Sequence, residues 1–254
     1  MKAASSATCQ HDVLETTLGE ILLLPPARAN PLRAILRLDR QVPLLRTVAL
    51  TALLPVVVLY LVVAFQRAVP FALLLRDANA SAYDPALGVM FYRGALSNLG
   101  ILLWWAAASV YAFSTYLARG TARSLPIRAF LLYMALFTGL LALDDLFMLH
   151  EEVLPIRLGI AEVVLYVIYG ALAAGLVAFV NLLLETAFLL LGLAFAFFAV
   201  SVFTDQGLAL FAINLPPGAN LLLEDLTKML GIVCWLVFAV QTSGQLLERL
   251  GAND

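Results

Sequence analysis

Long apolar runs separated by short polar interruptions occupy most of the chain. A helix needs about 20 apolar residues to cross the hydrocarbon of a bilayer. Six stretches meet that length, at 44–66, 96–118, 128–149, 159–180, 185–204 and 221–243. The pattern predicts an all-α fold, a polytopic transmembrane helix bundle of six spans forming one domain over 44–246. A cytoplasmic segment, 1–43, is expected before it and a short cytoplasmic tail, 247–254, after it. Pro216, Pro217 and Gly218 mark a turn between the fifth and sixth stretches, and Asn220 is the expected N-cap of the last helix. Val69 to Leu75 is apolar but too short to cross, and Arg67, Arg76 and Asp77 flank it, so it is expected at the interface. Residues 17–38 are expected to form an interfacial helix on the other side.

Positive segments resist translocation, which gives the orientation. Lys2, Arg28, Arg33, Arg37, Arg40 and Arg46 precede or open the first span, Arg119, Arg123 and Arg128 lie between the second and third, and Arg249 lies in the tail. The opposite side keeps Arg67, Arg76, Arg93 and Arg157. The expected topology is N-in, C-in, in a bacterial inner (plasma) membrane. LALDDLFML in the third stretch echoes LLLEDLTKM in the sixth, but both copies fall on the outer side. An inverted three-plus-three repeat would put them on opposite sides, so the echo is read as coincidence or convergence.

Composition agrees with this picture. The chain is 63% hydrophobic and 13% charged over 254 residues, with a mean hydropathy of +0.97, whereas soluble domains are about a quarter charged. A formal net charge of −2 with no Lys/Arg-rich stripe argues against nucleic acid as a partner. Cys9 and Cys234 form neither a disulfide framework nor a metal motif. The first 40 residues do not follow a secretory signal's order of charge, apolar core and small-residue cleavage site, so the first span is expected to direct insertion.

The informative feature is where the acids fall. Asp144, Asp145, Glu151, Glu152, Glu162, Asp205, Glu224 and Asp225 all lie at outer helix ends, eight of the chain's 17 acidic residues. His150, Lys228, Ser97 and Asn98 join them there, while Glu185 lies at an inner end. Asp144 sits about 10 Å deeper than Glu151 along the same helix. A carboxylate so placed costs ~2.5 kcal/mol or more and is expected to face protein, a water cavity or a cation. Two adjacent carboxylates cannot both stay ionised in a dry place without a counter-charge. Lys228 is the expected intramembrane counter-ion, and its spacing from Glu224 and Asp225 also suits pairing within its own helix. On a regular helix His150 is rotated about 120° from Asp144 and about 140° from Asp145, so it joins them only if the helix unwinds before Pro155.

A metal site here would be built from Asp144, Asp145, Glu151, Glu224 and Asp225. Oxygen donors with one imidazole and no thiolate favour Ca²⁺, Mg²⁺ or Mn²⁺. Ser97, Asn98, Glu162 and Asp205 are secondary polar candidates, and for Glu152, Glu162 and Asp205 solvation at helix ends is the preferred explanation. Glu151, Glu152 and Arg157 are one residue off the EExxxR spacing of intramembrane CAAX-type proteases, and with only His11 and His150 in the chain that family's histidine motifs are missing. Three functions stay open. The first is a metal-assisted membrane enzyme acting on a lipid or other amphiphile, with His150 and Asp145 catalytic. The second is a small cation or proton channel or transporter using the same cluster. The third is an accessory subunit whose ion pairs and Trp104-Trp105 serve assembly. The bilayer is the expected partner, and the small residues Ala106 to Ala108, Gly170 and Gly175 suit close helix packing within the molecule, in a homo-oligomer or against a membrane-complex partner.

Overall fold

The computed structural model describes residues 38–75, 92–119, 124–207, 211, 213, 215–216 and 218–251, and these are all helical or connecting segments, with no strand among them. Six long helices organise the chain: α1 (Gln41–Phe65), α2 (Ala95–Leu117), α3 (Leu125–Phe147), α4 (Val163–Leu183), α5 (Phe188–Asp205) and α6 (Ala219–Gly251). The first five are long and apolar enough to cross a membrane, which makes this a membrane protein. Residues 17–37, most of the expected N-terminal interfacial helix, lie outside the described residues, whereas a short helix, Phe71–Leu75, occupies the other expected interfacial segment.

Several boundaries differ from the sequence expectation, each for a local reason. Ser124 precedes α3 and a proline stands at its first turn, where a missing N–H costs nothing, so the helix starts three residues before 128. It stops at Phe147 because Met148 adopts a left-handed conformation, φ 51°. A π-helical segment, Leu149–Arg157, follows and contains Pro155. Gly159 turns with φ 66°, and α4 begins only at Val163 rather than at 159. Asn220 is not the cap of α6: Gly218, at φ 79°, makes the turn and the helix already includes Ala219. With no proline beyond 217, α6 runs on to Gly251, past the expected end at 243.

α6 is the central element. α2 and α5 pack along its length, α3 packs along α2, and α1 touches it as well. The fully buried Trp235 anchors the core, its indole lying 5.6 Å from Trp104, 5.5 Å from Phe137 and 5.5 Å from Phe195 between ring centroids. Such ring pairs add about 0.5–1.5 kcal/mol beyond the area they bury. The Trp235 Nε1–H donates to Thr138 Oγ1 at 2.9 Å, satisfying a polar atom that would otherwise be stranded. A Cβ on Gly231 would run into the Phe198 ring, so only glycine lets α5 come this close to α6. α4 stands apart from this core and is the least enclosed of the five apolar helices.

Candidate functional site

Where α4 stands off, a cavity of about 410 Å³ opens among α3, α4, α5 and α6. Its walls follow helical spacing. Tyr166, Tyr169, Gly170 and Ala173 line it from α4, and Phe195, Phe198, Ala199 and Val202 from α5. Both sets are the i, i+3, i+4, i+7 stripe of one helix face. Glu224, Lys228 and Trp235 line it from α6, a run of about 16 Å at 1.5 Å per residue. The Trp235 end is aromatic and the Glu224 end is charged. Glu151 and Asp205 stand with Glu224 at the charged end.

Asp144 and Asp145 both reach this cavity, and each is neutralised by a different cation. Asp144 is 3% exposed. Its Oδ1 accepts the His150 backbone N–H at 2.9 Å, and its Oδ2 lies 2.7 Å from His150 Nδ1. Asp145 Oδ2 accepts the Trp104 indole N–H at 2.9 Å, and Oδ1 lies 2.9 Å from Lys228 Nζ. The adjacent carboxylates therefore meet the requirement for a counter-charge in the protein itself.

On a regular helix His150 would be rotated away from the aspartates, but the α-helix ends before Pro155, the condition under which it was expected to join them. Rotation at 100° per residue applies only while the helix continues. The left-handed turn at Met148 and the wider π-helical winding after it fold the chain back, and Asp144 takes up the freed backbone N–H. His150 Nε2 then lies 3.3 Å from Glu151 Oε1. Burial alone would depress the imidazole, but hydrogen bonds to Asp144 and Glu151 and the charge of Asp144 outweigh it against repulsion from Lys228, leaving the pKa raised to about 10. The hydrogen bond from His150 holds the Glu151 carboxyl below its ordinary value against the opposite push of burial. At neutral pH the pair is an imidazolium beside a carboxylate.

Other candidates separate. Asp225, predicted as a metal ligand beside Glu224, lies about 100° round the helix and accepts the Tyr60 hydroxyl of α1 at 2.5 Å. Lys228 reaches across to Asp145 instead of serving only its neighbours on α6. Glu162 accepts the Tyr166 hydroxyl at 2.6 Å without lining the cavity. Ser97, Asn98 and Glu152 do not line it either, and Asn98 is exposed. Among the described residues no three His, Cys, Asp or Glu side chains are grouped to hold a metal ion. The aromatic wall was not anticipated as part of the site. Its trace in the sequence is the i, i+3 repetition of Tyr166 with Tyr169 and of Phe195 with Phe198, together with a tryptophan, Trp104, whose indole N–H needs an acceptor inside an apolar helix.

Fold and site together define an all-helical membrane protein with a cavity among its helices, aromatic within and charged at one end. The chain belongs to the family described as a domain of unknown function, DUF8692, whose model matches residues 47–242 and so takes in every candidate residue from Ser97 to Lys228. No curated protein and no solved structure matches the chain.

Proposed function

We propose that this protein binds an amphiphile in the cavity, apolar tail against the aromatic wall and polar head at the charged end, and that His150 and Glu151 carry out acid–base chemistry on that head. The observation that carries the proposal is the placement of His150: Asp144 fixes its Nδ1 side by two hydrogen bonds while Nε2 faces Glu151 at the polar end of an otherwise apolar chamber. A protonated imidazole beside a carboxylate supplies both an acid and a base. Lys228 pairs with Asp145, and the Trp104 indole N–H ties the same carboxylate to α2. The divalent-cation version has less support, since all four oxygens of Asp144 and Asp145 already meet protein donors.

In this account α6 is a sixth span, central and mostly protein-enclosed, and the topology is N-in, C-in with the charged end outward, in a bacterial plasma membrane. Arg249 near the far end of α6 pairs with Glu185 at the turn between α4 and α5, and the Tyr60–Asp225 contact joins the end of α1 to the start of α6, as alternating crossings require. Extraction of the detergent-purified protein, followed by mass spectrometry, tests the function. The wild type should retain an amphiphile, and His150→Gln should retain a chemically different one, substrate in place of product. An identical species in both would contradict the chemistry, and none in either would contradict the binding.

A further inference from the structure

The two sides of α4 are closed differently. On the α3 side, side chains bridge the gap: the Tyr133 hydroxyl donates to the Leu172 carbonyl, the Tyr133 and Phe179 rings pack at 5.4 Å, Tyr169 lies beside Asp144, and the Tyr166 and His150 rings lie 6.0 Å apart. On the α5 side, no hydrogen bond or ring pair among the described residues joins Val163–Gly175 to Phe188–Val202. The cavity residues there are small or short: Gly170 and Ala173 from α4, Ala199 and Val202 from α5. Gly170, Ala199 and Val202 are exposed, and a Cβ on Gly170 would meet nothing within 4 Å. Around this gap the outer surfaces are those of apolar helices, with Val163, Val167 and Ile168 exposed on α4 and Val200 on α5.

We infer that the gap between α4 and α5 at Gly170 and Ala199 is a lateral portal through which the hydrocarbon chain of a membrane lipid enters the cavity directly from the bilayer. This rests on the amphiphile-binding proposal and specifies the source of the ligand. Chain entry from the membrane suits the site physically: the tail passes from hydrocarbon to an aromatic wall without crossing water, while the head slides along the interface toward Glu151 and Lys228. Larger side chains at 170 or 199 would fill the gap from either helix without altering the charged end.

The protein carries its own reporters. Of its three tryptophans, Trp104 and Trp235 line the cavity and are 3% and 0% exposed, whereas Trp105 lies outside it at 39%. In a Trp105→Phe background, the protein is reconstituted into nanodiscs of phosphatidylcholine with or without brominated acyl chains, and tryptophan emission is compared. Bromine on a chain inside the cavity quenches Trp104 and Trp235. The expected result is clear quenching by brominated lipid, at least halved by Gly170→Phe and by Ala199→Phe. These variants lie on separate helices, so misfolding of one leaves the other informative, and circular dichroism checks both. Absence of quenching in the Trp105→Phe protein, or equal quenching in the folded blocked variants, overturns the portal. Quenching reports occupancy and not chemistry. A positive result with identical retained species in wild type and His150→Gln would sink the acid–base proposal and leave the portal standing.

Discussion

Two pairs of adjacent acids lie at the charged end of the bundle, and their fates differ. Asp144 and Asp145 close α3, Glu224 and Asp225 open α6. On α6 the helix continues unbroken, so neighbours about 100° apart serve different partners: Glu224 lines the cavity while Asp225 turns to Tyr60 and fastens α1. On α3 the helix ends two residues after the pair, and the chain that turns back supplies His150 to Asp144, while Asp145 faces α2 and α6. The same dipeptide chemistry thus makes a site in one place and a site wall plus a structural tie in the other. The backbone that follows the acids decides which.

The most damaging change should be Asp144→Ala. It leaves the half-buried His150 cation with Glu151 alone among the contacts described above and frees the backbone N–H that Asp144 accepts, at a cost of about 3 kcal/mol, read as a drop in the thermal midpoint of the detergent-solubilised protein. The same contact sets the pH dependence. Because the His150 pKa rises from 6.5 to about 10 on folding, its stabilising contribution is complete below pH 6.5 and is lost as the pH climbs through 10. Glu151, lowered from 4.5, contributes above pH 4.5 and loses its contribution as the pH falls through its folded value. The contribution of His150 and Glu151 to thermal stability should therefore be greatest between about pH 4.5 and 6.5 and decline toward alkaline pH, and Asp144→Ala should flatten that alkaline limb. An unchanged alkaline limb would remove Asp144 as the cause.

Lys228→Met should rank next, at about 1–3 kcal/mol, because Asp145 keeps only the Trp104 donor among the contacts described above. Adding Asp145→Asn should recover much of that loss, since it removes the stranded charge and keeps an acceptor for the Trp104 indole. Additive losses in the double variant would mean the two charges do not depend on each other. Tyr60→Phe should cost least, about 1.5 kcal/mol, the worth of one hydrogen bond to a charged group. It should leave the retained amphiphile unchanged. Loss of that amphiphile would place the α6 acids together in the site after all.

The helices were legible because about 20 uninterrupted apolar residues is a demand of the bilayer that few other structures imitate. The need of Asp144 and Asp145 for a counter-charge was legible for a similar reason, since the cost of a buried carboxylate holds whatever the fold. The convergence of His150 was not legible. It depends on a left-handed methionine, and a non-glycine residue at positive φ leaves no signature in sequence. The helix rule could name the unwinding before Pro155 that would bring His150 to the aspartates, but not that it happens. The aromatic wall was hidden differently, because Trp104, Phe137, Phe198 and Trp235 come from four helices and meet only through tertiary packing. Periodicity within one helix cannot show which helices face each other.

The proposed amphiphile lies in the cavity with its head at His150 and Lys228. A cryo-electron microscopy map of the wild-type protein in lipid nanodiscs tests it most directly. Elongated density should run from the Glu224 end toward Trp235, with its polar end within hydrogen-bonding distance of His150 Nε2 or Lys228 Nζ. A well-resolved map with the cavity closed by side chains, or holding only isolated water peaks, would contradict it.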